Sequence, residues 1–235
     1  MTEGATAPPQ SRTAYVADRI RQDVASGELR PGELIKQTVL AKRYGVSPTP
    51  VREALRLLEA DGVVTYSPHR GASVREMTPD SAQDLYRLRA ATEAVAAAMA
   101  VERMTPAGLA AIQEKYRRLE EAVSSGTASA AELSVLNREF HFALYQQSSP
   151  LVLQYVEALW VRFIPSATIW TEDHARDLQR DHEQILDAVV RGDADQAAEL
   201  TRIHILHAAA IREREPALRA AGGDEREDFP AVTPN

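Results

Sequence analysis

The chain has 235 residues, no cysteine and a formal net charge of −7. That length allows two domains, each with its own core, and the lack of cysteine excludes both a disulfide framework and a thiolate metal site. No apolar run approaches the roughly 20 residues needed to span a membrane, so the composition points to a cytoplasmic protein.

Residues 1–10 are rich in Thr, Ala and Pro, lack the basic and apolar pattern of a signal peptide, and read as a disordered arm. A helix is predicted over about 13–26, apolar at Val16, Ile20 and Val24. A short helix over 38–44 follows, expected to carry Val39 and Leu40 inward, and Gly45 turns the chain into the next element. Ser47 is a good N-cap for that element, and Pro48 falls at the first helical position, where its missing N–H costs nothing. Val51, Ala54, Leu55 and Leu58 then recur at helical spacing and face a core. Thr49, Arg52 and Arg56 lie on the other side, where arginine can meet phosphates or a guanine edge. Asp61 and Gly62 end the helix. Two β-prone runs, 63–66 and 72–74, are joined by a basic tip containing His69, Arg70 and Gly71. A turn between two short helices, followed by a hairpin, is the grammar of a winged helix-turn-helix.

The string Gly-Val-Ser-Pro-Thr-Pro-Val-Arg-Glu-Ala-Leu over 45–55, then Asp-Gly-Val-Val over 61–64 and a glycine-containing wing, resembles the GntR family of bacterial transcription regulators. The resemblance implies DNA contacts at Ser47, Thr49 and Arg52, with the wing tip at His69, Arg70 and Gly71. Many members carry arginine where this chain has Pro48, which places more of the base readout on Arg52 and the wing. Charge divides in the same sense. Residues 10–75 hold 11 Lys and Arg against 7 Asp and Glu, whereas residues 76–235 hold 16 against 26. Phosphate therefore attracts the N-terminal part and repels the rest, and a homodimer presenting two modestly basic heads gains affinity.

From residue 78 to about 214 the chain is helical in pattern, with helices expected at roughly 79–103, 106–123, 130–147, 151–169, 174–190 and 194–213. Pro165 is expected to kink or stop the fourth of them. Asn137 and His141 are four apart and share a helix face. His182 lies ten residues before Gly192 and His204 twelve after it, so a fold-back at Gly192-Asp193 sets these imidazoles side by side. Three imidazoles and an amide oxygen make a site for a divalent metal, zinc first, with nickel or manganese as alternatives.

The segments around Asn137 and His141, from His182 through Gly192, and at His204 resemble the all-helical FCD effector domain found in one branch of the GntR family. That resemblance implies a divalent metal held by three histidines and an aspartate; here Asn137 stands in the aspartate's place, a weaker neutral ligand. It also implies that Arg89, in the stretch 85–93, faces the ligand cavity, where a guanidinium fork beside a metal suits a small carboxylate. Tyr145, Arg162 and Trp170 are further pocket candidates, and His174 and His207 fall off the matched positions. Glu139 and Glu183 are out of register with the ligand face, so no general base accompanies the histidines and no enzymatic activity is expected.

The expected architecture is therefore mainly α. It comprises an arm over 1–10, a winged helix over 11–76, a helical effector-binding and dimerisation domain over 77–220, and a flexible tail over 221–235. The expected function is a ligand-responsive transcription regulator, most often a repressor, working as a homodimer on a palindromic operator in double-stranded DNA and sitting with the nucleoid when bound. Two alternatives stay open: a metal-free domain sensing a larger ligand such as an acyl thioester, and a structural metal in a constitutive DNA binder.

Overall fold

Val16, Ile20 and Val24 repeat at helical spacing, and they form the buried stripe of α1 (Arg12–Ser26) in the computed structural model, which describes residues 11–26, 28–67, 70–76, 78–162 and 170–214. The predicted arm over 1–10, the tail over 221–235, His69 and Pro165 lie outside the described residues. Helix α2 (Gln37–Tyr44) buries Leu40, Ala41 and Tyr44. Val39, expected inward, is 51% exposed. In an eight-residue helix only one narrow face meets the core, and Val39 sits about 100° round the axis from Leu40.

Helix α3 (Pro48–Ala60) is strongly amphipathic: Val51, Ala54, Leu55 and Leu58 are all fully buried. Ser47 holds the N-cap position with extended backbone, but its hydroxyl makes no capping bond. Strands β1 (Val64–Ser67) and β2 (Gly71–Val74) pair antiparallel, with Val64 opposite Val74 and Ser67 opposite Gly71. An isolated bridge from Leu34 to Ser73 adds a short third edge that the sequence pattern does not announce. These elements close one core, and Asp23 ties it at the side by accepting from Tyr44 Oη at 2.7 Å and Arg43 Nη1 at 3.0 Å.

The second core belongs to six helices: α4 (Pro79–Glu102), α5 (Pro106–Ser125), α6 (Ala130–Tyr145), α7 (Pro150–Arg162), α8 (Glu172–Arg191) and α9 (Ala194–Arg214). Caps explain where several begin. Thr78, Thr105 and Ser129 each accept a bond from the backbone N–H three residues on, and Ser129 with Glu132 completes a capping box. α4 presents Ala90, Ala96, Ala97 and Ala100 as buried small residues, and its most extensive contact is with α9. The left-handed backbone at Gly192 (φ 72°) terminates α8 and returns the chain directly into α9. α7 is described to Arg162, so the rest of the predicted helix over 151–169 lies outside the described residues.

The two cores touch through the end of α7. Val161 packs against the apolar cluster of the winged helix. Arg162 runs past Gly62, where an added Cβ would lie 3.5 Å from Arg162 Nε and 2.9 Å from Arg75 Nη1. Gly62 also has φ +76°, so the backbone favours glycine at this junction between α3 and β1.

Candidate functional site

α6, α8 and α9 each deliver one imidazole to the same point. The Nε2 atoms of His141, His182 and His204 lie 3.1–3.2 Å from one another, and all three rings are buried. The register about Gly192 brings His182 and His204 level, and His141 enters from α6.

The opposite ring nitrogens decide what this cluster can do. His141 Nδ1 lies 3.1 Å from Tyr145 Oη, whose own proton goes to Glu93 Oε2 at 2.7 Å. His182 Nδ1 faces Gln179 Oε1 at 3.1 Å, and His204 Nδ1 faces Asp181 Oδ2 at 3.3 Å. Each Nδ1 therefore meets an acceptor and carries the ring proton, leaving three Nε2 lone pairs aimed at a shared centre. Burial drives His141 and His182 well below the ordinary histidine pKa, with the neighbouring His204 adding to the effect, so a proton is a poor guest there. A divalent cation fits. Metal–nitrogen bonds of about 2.1 Å put ligand nitrogens about 3.0 Å apart in a facial octahedral set and about 3.4 Å apart in a tetrahedral one, and the observed spacing falls between.

Beside the imidazoles is a cavity of about 30 Å³, lined by Arg89, Asn137, His141 and His204 with Ser134, Trp160 and Trp170 among its walls. Of the further residues predicted to serve this site, Asn137, Arg89 and Trp170 do line it. Arg89 is also committed elsewhere: its Nε donates to Glu93 Oε1 at 2.7 Å in a fully buried pair, and its guanidinium lies 4.3 Å from the Trp160 ring. Tyr145, predicted as an effector contact, is fully buried behind His141 and holds that ring instead. Its phenol is pushed well above the usual range by burial and by Glu93. Arg162 lines a different feature, an open apolar groove of about 490 Å³ with Leu88, Val95, Val152, Tyr155 and Leu159. Glu139 is held by Lys115 and Arg118, each at 2.9 Å, and pairs with no imidazole.

Asp181, Gln179 and Trp160 were not singled out from sequence, whereas Glu93, four residues after Arg89, is spaced to hold it and does so. Asp181 carried a usable signal, since it lies eleven residues before Gly192 and so faces the turn of α9 that bears His204. His207, set aside as off the pattern, donates its Nδ1–H to the same Asp181 oxygen at 2.7 Å.

In the winged helix, Thr49, Arg52 and Arg56 share the exposed side of α3. Arg56 leans on Glu53 at 3.4 Å, whereas Arg52 pairs with no carboxylate among the described residues. Arg70 and Gly71 are exposed at the wing.

Residues 12–74 match the model for bacterial regulatory proteins of the gntR family, and residues 84–207 match the FCD domain. The chain is 33% identical over 156 residues to the HTH-type transcriptional regulator McbR of Escherichia coli, covering 66% of this chain and 70% of the relative. It is 27% identical over 194 residues to the HTH-type transcriptional regulator YdhC of Bacillus subtilis, covering 81% and 86%. The solved structure of E. coli McbR superposes with a TM-score of 0.77 at 28% identity, over 87% of this chain and 98% of that one. No helix among the described residues is long and apolar enough to cross a membrane.

Proposed function

For a chain that belongs to the GntR family of bacterial regulatory proteins and carries an FCD domain, hence a DNA-binding transcription regulator, we propose a repressor controlled by a small carboxylate that meets a divalent metal in the helical domain. The observation that carries this reading is the convergence of three Nε2 atoms within 3.2 Å, each with its Nδ1 already given to an acceptor.

His141, His182 and His204 would hold the metal, with the Asn137 side-chain oxygen as a fourth, weaker donor, and zinc is the first choice for such a set. When bound, the metal supplies a Lewis-acidic attachment point for a carboxylate oxygen. Arg89 supplies positive charge on the same cavity, oriented by Glu93. A volume of about 30 Å³ holds a water rather than an organic acid, so the effector must displace the walls. Trp160 is one of those walls, and the next residue, Val161, packs against the core of the winged helix. Displacement at the cavity thereby becomes displacement of the head. The acid shifts the DNA equilibrium only in so far as it prefers one head placement over the other.

Ser47 at the N-cap of α3 and Thr49, Arg52 and Arg56 on it, with His69, Arg70 and Gly71 of the wing, are proposed to read the operator. A homodimer would place two such helices about one DNA turn apart on a palindrome. The apolar groove between α4 and α7, rimmed by exposed Leu88, Val95 and Tyr155, supports pairing through the helical domains.

The test uses an operator selected from random duplex DNA and zinc-loaded protein, with binding followed by fluorescence anisotropy across a panel of small mono- and dicarboxylates. At least one acid is expected to weaken operator binding more than tenfold in the wild type and to have no effect in His141→Ala. Indifference to every acid, with response instead to an acyl thioester, would contradict the reading.

A further inference from the structure

The three imidazoles differ in what stands behind them. His141 is backed by Tyr145 and Glu93, and His182 by Gln179, all buried. Both arrangements present a neutral group to the ring, because the Tyr145 phenol keeps its proton and Gln179 is an amide. Glu93 is one bond further out and is already matched by Arg89. His204 alone of the three bonds directly to a carboxylate, Asp181 Oδ2 at 3.3 Å. That carboxylate is also the most open of the supporting groups, with 21% of its side chain exposed. The same oxygen takes a shorter bond, 2.7 Å, from His207, one turn along α9 and itself 37% exposed.

A carboxylate on the distal nitrogen of a metal-ligating imidazole fixes the tautomer and raises the basicity of the nitrogen facing the metal. With Asn137 neutral, no anionic side chain among the described residues lines the cavity, so the protein carboxylates that offset a divalent ion stand behind the ligands. On the reading that the cluster holds a metal, we infer that Asp181 is the positioning residue that sets the metal affinity of the site through His204, and that His207 competes for the same oxygen and moderates it.

The inference makes two predictions of opposite sign. Asp181→Asn keeps the shape and removes the charge; one zinc per chain is retained, but zinc affinity falls 10–100-fold. His207→Ala releases Asp181 to His204 alone, so zinc affinity rises. Affinities are read by competition with a chromophoric chelator, using the full-length chain. Long-range proton–nitrogen spectra of the histidine rings supply the second readout: His204 is expected as a single Nδ1–H tautomer in the zinc-loaded wild type, with its Nδ1–H resonance displaced in Asp181→Asn. Melting of the metal-free proteins checks that each variant folds. Equal zinc affinity in wild type and Asp181→Asn, or weakening by His207→Ala as large as that by Asp181→Asn, overturns the role given to Asp181. A wild type that takes up no zinc, nickel or manganese overturns the metal reading itself and this inference with it.

Discussion

Arg89 illustrates how one side chain serves two demands. Its guanidinium lines the cavity, yet the buried bond to Glu93 is what makes the charge tolerable in a bundle core. Arg89→Met strands the Glu93 carboxylate and is expected to cost about 3–5 kcal/mol of stability, whereas Arg89→Met with Glu93→Leu recovers most of it. Urea unfolding of the metal-free variants measures both; equal destabilisation by single and double variants would show that the pair is not coupled. On the DNA side, Arg52 is exposed on the outer side of α3 and unpaired by any carboxylate among the described residues. Arg52→Ala is expected to weaken the selected operator by about 1–3 kcal/mol and to relax preference at one base position. Uniform weakening on every sequence would assign Arg52 to phosphate alone. The residue scale is also where sequence reading is weakest. Asn137 and His141 could be paired by their four-residue spacing on one helix, and His182 with His204 by their near-equal distances from the Gly192 turn. Tyr145 and Arg162 could not be placed, because a side chain's inward or outward aim depends on which helix it meets.

Helices were legible where the pattern is long and capped. α3 combines two prolines in its first turn with four apolar residues in register, and all four are buried. α8 and α9 were legible as a hairpin because Gly192 supplies the left-handed turn. Val39 was misread because a short helix gives too few positions to fix its phase. The end of α7 was not legible at all, since nothing in Trp160-Val161-Arg162 announces that successive residues contact the cavity wall, the winged-helix core and Gly62. That junction has a testable consequence. Val161→Ser, which trims the contact between α7 and the head, is expected to leave zinc stoichiometry unchanged and effector-free operator affinity within about threefold. The acid that releases operator from the wild type in the carboxylate panel should then have at least fivefold less effect on DNA binding. Undiminished control by the acid would place the coupling elsewhere, along α4.

For the whole molecule, two cores meeting at one helix end account for how a bacterial regulator of this family can join sensing to DNA reading. The buried histidines also make stability depend on pH when no metal is present. His141 and His182 titrate well below the ordinary 6.5 in the folded protein because burial disfavours their charged forms. The unfolded chain takes up protons near the ordinary value while the native state does not. Stability is therefore fully present above about pH 6.5 and lost as pH falls from there toward the folded values. Melting temperature of the metal-free protein is expected to drop between pH 7.5 and 5.5, with a smaller drop in His182→Phe. An unchanged slope in that variant would argue that other groups control acid unfolding.

The most direct measurement is metal content of the purified protein by elemental mass spectrometry, beside His182→Ala and His204→Ala. About one divalent ion per chain in the wild type, lost in both variants, is the predicted result. No metal in the wild type after incubation with zinc, nickel or manganese would contradict the account and leave the three imidazoles as the lining of a metal-free pocket.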